Sequence, residues 1–140
     1  MPDAPVARGL VDTSVVIDLE QADPQHLPTE LAVSAVTMAE LAAGPHATAD
    51  PDERARRQDR LQRAEATFDP LPVDAGVARA HGRIYAAVSS AGRKAGGARS
   101  LDLMIAATAL ASGLPLFTRN PKDYRGVETL VEIVSVRPAA

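Results

Sequence analysis

"LDLMIAATALASGLPLFTRNPKDY", residues 101–124, is the stretch whose reading decides the fold. After Asp102 comes an apolar, alanine-rich run long enough for about three helical turns. Gly113 ends it, because glycine adopts the left-handed conformation that closes helices at little cost. Residues 114–118, "LPLFT", then form a short apolar run that predicts a buried strand. Asn120, Pro121 and Asp123 mark a turn directly behind it. A helix feeding a buried strand is the repeating unit of a parallel sheet.

The same alternation extends in both directions. Toward the C-terminus, "LVEIVSV", 130–136, predicts a last core strand. Upstream, a Gly-rich loop at 92–100 follows a helix that Asp74 caps and that runs to about residue 91. Val77, Ile84 and Val88 share one face of that helix, and His81 falls on the same stripe. "PLPV", 70–73, is a third possible strand. Asp50, Pro51 and Glu53 form a helix start with cap, first-turn proline and capping-box acid. Before it lie a helix at 36–44 stopped by Gly44 and Pro45, a strand within 30–35, and a first strand at 7–12. The residues after that strand predict one or two helical turns, with Thr13 or Ser14 as cap. The fold class is therefore α/β, a layered sandwich with a mostly parallel central sheet flanked by helices. With 140 residues, no repeat and no dividing linker, residues 1–140 are expected to form a single domain.

Composition narrows the function. Hydrophobic residues make up 46% of the chain, which predicts a packed globule. There is no cysteine, which excludes disulfides, thiol catalysis and thiolate metal sites. No apolar run approaches the roughly 18 residues of a membrane span. The opening "MPDAPVARG" lacks the basic start and apolar stretch of an export signal, so the expected location is cytoplasmic. The net charge is −3, yet residues 52–63 hold five arginines against three acids. That run reads as a solvated helix face or as a patch for a phosphate backbone.

Acids gather at one predicted edge. In open α/β sheets, sites form beyond the carboxyl ends of the strands. Asp12 ends the first strand, Glu40 lies in the first turn of the next helix, and Asp102 opens the late helix. Asn120 and Asp123 follow the late strand. Each has a local structural explanation: Asp12 as a helix cap, Glu40 as the capping-box partner of Thr37, Asp102 against its helix dipole, Asp123 as a turn residue. Together they would repel one another unless a cation lay among them. Oxygen ligands without histidine or cysteine suit a hard ion, Mg2+ or Mn2+, which binds through one or two carboxylates, waters and substrate phosphate. His26 and His46 have no partner at metal spacing, and His81 reads as a core or interface residue. Phe117 and Tyr124 read as packing residues.

"LVDTSVVID", "VTMAELAAG" and the 101–124 block, in this order and spacing, resemble the PIN-domain ribonucleases, and among them the VapC-type toxins of type II toxin–antitoxin systems. The resemblance covers nearly the whole chain. It implies a PIN-like three-layer sandwich and Mg2+- or Mn2+-dependent endonucleolytic cleavage of RNA, leaving a 5′-phosphate and a 3′-hydroxyl. By motif position the catalytic acids are Asp12, Glu40, Asp102 and Asp123. Asp12 and Asp102 hold the metal, with Glu40, Asn120 and Asp123 acting through water. Asn120 stands where family members carry aspartate or asparagine, and it supplies no charge. Thr13, Ser14, Thr118 and Asn120 are supporting residues; Arg93, Lys94, Arg99, Arg119 and Lys122 are candidate RNA contacts. The resemblance further implies a homodimer and a VapB-type antitoxin. The antitoxin's tail covers the acids, often with an arginine, and its other end binds operator DNA.

Two other classes share parts of the pattern. A phosphotransfer α/β domain also has an aspartate after its first strand, but haloacid-dehalogenase-like enzymes need a second one where this chain has Ser14. A PIN fold serving only as a binding scaffold is the other, and neutral Asn120 keeps it open. A PIN nuclease acting on DNA is a third alternative.

Overall fold

The structure, a computed structural model, describes residues 6–140. Residues 1–5, on which the reading of the chain's opening partly rests, lie outside the described residues. Four short strands form one parallel sheet: β1 (Arg8–Val11), β2 (Glu30–Ala32), β3 (Leu116–Thr118) and β4 (Ile133–Ser135), in the order β2-β1-β3-β4. Five helices connect and cover them: α1 (Thr13–Ile17), α2 (Ala35–Ala43), α3 (Pro51–Thr67), α4 (Ala75–Ser90) and α5 (Ser100–Ser112).

Strand alternation divides the core in two. Leu10 and Leu116, paired across β1 and β3, face one layer. There they pack with Ile84 and Val88 of α4, Leu103 and Ile105 of α5, and Tyr124. Their neighbours Val11 and Phe117 face the other layer, with Val15 and Val16 of α1, Leu41 of α2 and Ala64 of α3. Each fully buried Leu or Ile contributes about 1.5–3 kcal/mol. Helix α5 is buried along most of its circumference, and its alanines let α4 and the sheet approach closely. Gly113 closes α5 with φ +66°, as its place after the alanine run requires. Gly9 serves a different need: a Cβ there would lie 2.3 Å from the Phe117 ring, so only glycine lets that ring cross β1.

Local signals set several boundaries where expected. Asp74 accepts the Val77 amide at the start of α4, and Asp50 with Pro51 opens α3. The expected capping box of α3 does not form. Asp50 takes the Asp52 amide, while Glu53 turns to Arg56 and Arg57, whose positive charges outcompete a backbone N–H. The expected strand at 70–73 is a single bridge between Leu71 and Ser34. Prolines on both sides of Leu71 remove the donors a longer ladder needs. The last strand is shorter than its apolar run: Val131 and Val136 are buried, but β4 is an edge strand with Ser135 exposed. Among the described residues, no helix is long and apolar enough to cross a membrane.

Candidate active site

Asp12 follows β1 directly, is 5% exposed, and caps α1. Thr13 and Ser14, the expected caps, lie inside the helix. Both Asp12 carboxylate oxygens are held. Oδ1 accepts the Ser14 hydroxyl at 2.5 Å and the Val15 amide at 3.3 Å; Oδ2 accepts the Tyr124 hydroxyl at 3.0 Å. So fixed, the carboxylate cannot rotate without breaking bonds on both sides. Tyr124 is buried at 1% exposure, and its phenol is held far above its usual pKa. Burial is the largest cause, followed by the negative charge of Asp12. The phenol therefore stays protonated and donates.

Glu40 lies in the second turn of α2, one turn later than expected, because Ser34 is the actual cap of that helix. The capping-box role with Thr37 is thus not the one Glu40 plays. Its Oε1 accepts the Thr13 hydroxyl at 2.7 Å, and Thr13 lies 3.1 Å from the Thr37 hydroxyl. A hydroxyl chain therefore ties the acid of α2 to the first residue of α1.

Asp102 sits in the first turn of α5. Its carboxyl is pushed up to about 6, first by burial, then by the like charges of Asp123, Glu40 and Asp12, with Arg99 opposing. Like charges raise a carboxyl in this way when they lie near it. The four acids come from four separate segments, after β1, in α2, in α5 and after β3. Among the described residues, no three His, Cys, Asp or Glu side chains are already gathered as direct ligands of one ion. The donor set is all oxygen, which suits a hydrated hard cation held by one or two carboxylates and otherwise through water.

The supporting residues divide. Ser14 also accepts the Arg119 amide at 3.1 Å, joining α1 to the turn after β3. Thr118 is buried, and its hydroxyl accepts the Asn120 amide at 3.0 Å, shaping that turn rather than touching an acid. Asn120 itself is exposed. Of the candidate RNA contacts, Arg99 donates to the Asp123 carbonyl at 3.0 Å and Arg119 pairs with Asp18. Both build the site's rim. Lys94 and Lys122 are exposed and Arg93 is half-buried. His26 accepts the Arg137 amide, His46 is exposed, and half-buried His81 lies against Tyr85 with ring centroids 6.3 Å apart.

The Tyr124 hydroxyl bond is the feature that sequence reading missed. Tyr124 packs in the core as expected, but a buried tyrosine needs a partner for its hydroxyl. That requirement, beside a cluster of acids, was the available signal.

The PIN domain family model matches residues 9–128. The chain is 35% identical over 134 residues to Ribonuclease VapC5 of Mycobacterium tuberculosis (strain ATCC 25618 / H37Rv), covering 94% of this chain and 96% of that protein. It is 36% identical over 110 residues to Ribonuclease VapC8 of Mycobacterium tuberculosis (strain CDC 1551 / Oshkosh), covering 78% and 96%. The crystal structure of VapBC-5 from Mycobacterium tuberculosis, of the VapBC family of toxin–antitoxin systems, superposes with a TM-score of 0.81 at 37% identity, over 92% of this chain and 98% of that one. With that fold, that span and these acids in motif order, the chain belongs to the PIN-domain family and, within it, to the VapC group.

Proposed function

We propose that this protein is a metal-dependent endoribonuclease, the toxin of a toxin–antitoxin pair, acting in the cytoplasm. The observation that supports this reading best is the PIN-domain match over residues 9–128, with Asp12, Glu40, Asp102 and Asp123 in motif order within it. A half-buried Asp102 with further acids acting on its charge is a place that a cation would stabilise. The VapC relatives are named ribonucleases, and a solved structure that superposes well on this chain belongs to the VapBC family of toxin–antitoxin systems.

Asp12 and Asp102 would hold a Mg2+ or Mn2+ ion, with Asp123 as the remaining carboxylate and Asn120 as a neutral donor. When bound, the ion supplies a Lewis acid for a phosphoryl oxygen and lowers the pKa of water. Tyr124 and Ser14 keep Asp12 in one orientation, so little reorganisation is needed as charge develops. Glu40 has one oxygen tied to Thr13; the other, which accepts no hydrogen bond among the described residues, would orient the attacking water and take its proton. In-line attack on phosphorus would expel the ribose 3′-oxygen and leave a 5′-phosphate.

A VapB-type antitoxin with a cationic side chain facing the acids would silence the enzyme by pairing with them. Contact with operator DNA would come only through that partner. A homodimer is the expected assembly.

The test is cleavage of total RNA by purified protein with Mg2+ or Mn2+, beside chelator and beside Asp12→Asn. Metal-dependent cleavage that the variant lacks supports the reading. Calorimetry showing no binding of either ion, with no cleavage, would leave a scaffold instead. Cleavage of DNA in preference to RNA would reassign the substrate.

A further inference from the structure

Helix α3 carries five arginines, and four are committed. Arg54 donates to the carbonyls of Pro45 at 3.1 Å and Thr48 at 2.9 Å. Arg56 and Arg57 share the Glu53 carboxylate, and Arg57 also donates to the Gly44 carbonyl. Arg63 pairs with Glu20 and Asp59. Arg60 is half-buried, yet it takes part in none of the side-chain hydrogen bonds or ion pairs among the described residues.

Its position gives that freedom a meaning. A hollow of about 330 Å3 runs from Thr13 and Glu40, the one site acid that lines it, past Glu53 to Arg57 and Arg60. A second, of about 540 Å3, runs between α3 and residues 16–21, past Arg56 and Arg63. Arg60 and Ile17 line both, so the two meet at these side chains. Ile17 is 42% exposed.

We propose that Arg60 is a phosphate-binding residue of a substrate subsite. RNA leaving the acid cluster crosses Ile17 and seats a neighbouring phosphodiester on the Arg60 guanidinium. The inference rests on the nuclease reading above. A carboxylate cluster repels a polyanion, so the substrate needs a cation near the cluster to offset that repulsion. Arg99 and Arg119, two guanidiniums close to the acids in sequence, are already spent on Asp123 and Asp18. Arg60 keeps its planar fork of donors, which matches two phosphate oxygens at once.

The test places Arg60→Ala and Arg60→Lys in an Asp12→Asn background and titrates a single-stranded RNA oligonucleotide with Mg2+ across a salt series. Thermal melts check folding. Arg60→Ala is expected to weaken binding about tenfold and to make the slope of log K against log salt shallower by about one, as the loss of one phosphate contact does. Arg60→Lys is expected to keep the salt slope and part of the affinity, since it keeps the charge without the fork. In the active protein, Arg60→Ala should raise KM several-fold with a much smaller change in kcat. Unchanged affinity and slope in Arg60→Ala would overturn the proposal. So would a variant that binds RNA normally but loses affinity for a polyglutamate peptide, which would make Arg60 a contact for an acidic protein segment. Should the Asp12→Asn parent bind no RNA and the unsubstituted protein cleave none, the nuclease reading itself fails.

Discussion

Asp12 and Asp102 face the same space but are held in opposite ways. Asp12 accepts three hydrogen bonds, from Ser14, Val15 and Tyr124. Asp102 accepts none from a side chain among the described residues, and its surroundings oppose its ionised form. One half of the site is fixed in advance by hydroxyls and a helix start. The other half opposes its own ionisation, first through burial and then through like charge. Together they give a rigid anchor beside an unsatisfied charge, an arrangement that would suit a small dication under the proposed function.

The most severe break should come at the anchor. Asp12→Asn preserves shape but removes the charge and one of the two acceptor oxygens, so RNA cleavage should fall on the order of 10²–10³-fold. Circular dichroism should change little, while the melting temperature should fall by a few degrees, because one buried hydrogen bond to the carboxylate is lost. Tyr124→Phe probes the anchor's support alone. It should weaken Mn2+ affinity by about tenfold, measured by calorimetry, as loss of a partner behind a metal ligand does. Its cost in stability should be about 1 kcal/mol. A phenylalanine protein with full metal affinity would show that the hydroxyl only fills space.

The repelled half should respond in the opposite sense. Asp102→Asn should abolish cleavage while raising the melting temperature of the metal-free protein by about 3 °C at neutral pH. The smallest effect is the pH dependence. The folded protein holds the Asp102 proton up to about pH 6, whereas the ordinary carboxyl value is 3.8. Between those values the folded state binds more protons than the unfolded chain, so this group's contribution to stability declines as pH rises through the window. The decline should be on the order of 1 kcal/mol once solvent screening of a half-exposed group is allowed for. It should vanish in Asp102→Asn and shrink when Mg2+ is added.

The same contrast explains what could be read from the sequence. Layering and helix starts were legible because their signals are local: Gly113 behind an alanine run, Pro51 behind Asp50, Asp74 before an amphipathic stripe. The acids could be proposed as a set because strand ends deliver residues to one edge. Their partners were not. Glu40 has a capping-box pattern in its own helix, yet its partner is Thr13, brought near by folding. Arg99 and Arg119 have the composition of RNA contacts, yet the fold spends them on Asp123 and Asp18. Tyr124 reaches Asp12 across 112 positions of chain. Sequence pattern reports neighbours along a helix or strand, whereas these choices depend on which surfaces meet.

Gly9 carries no chemistry, yet it governs where the chemistry sits. Any larger residue there would push the Phe117 ring aside, and Phe117 immediately precedes Thr118, whose hydroxyl shapes the turn leading to Asn120 and Asp123. A selection for harmless variants of this chain should therefore recover substitutions at position 9 beside those at the acids. Such variants would be disarmed by a missing gap rather than a missing charge.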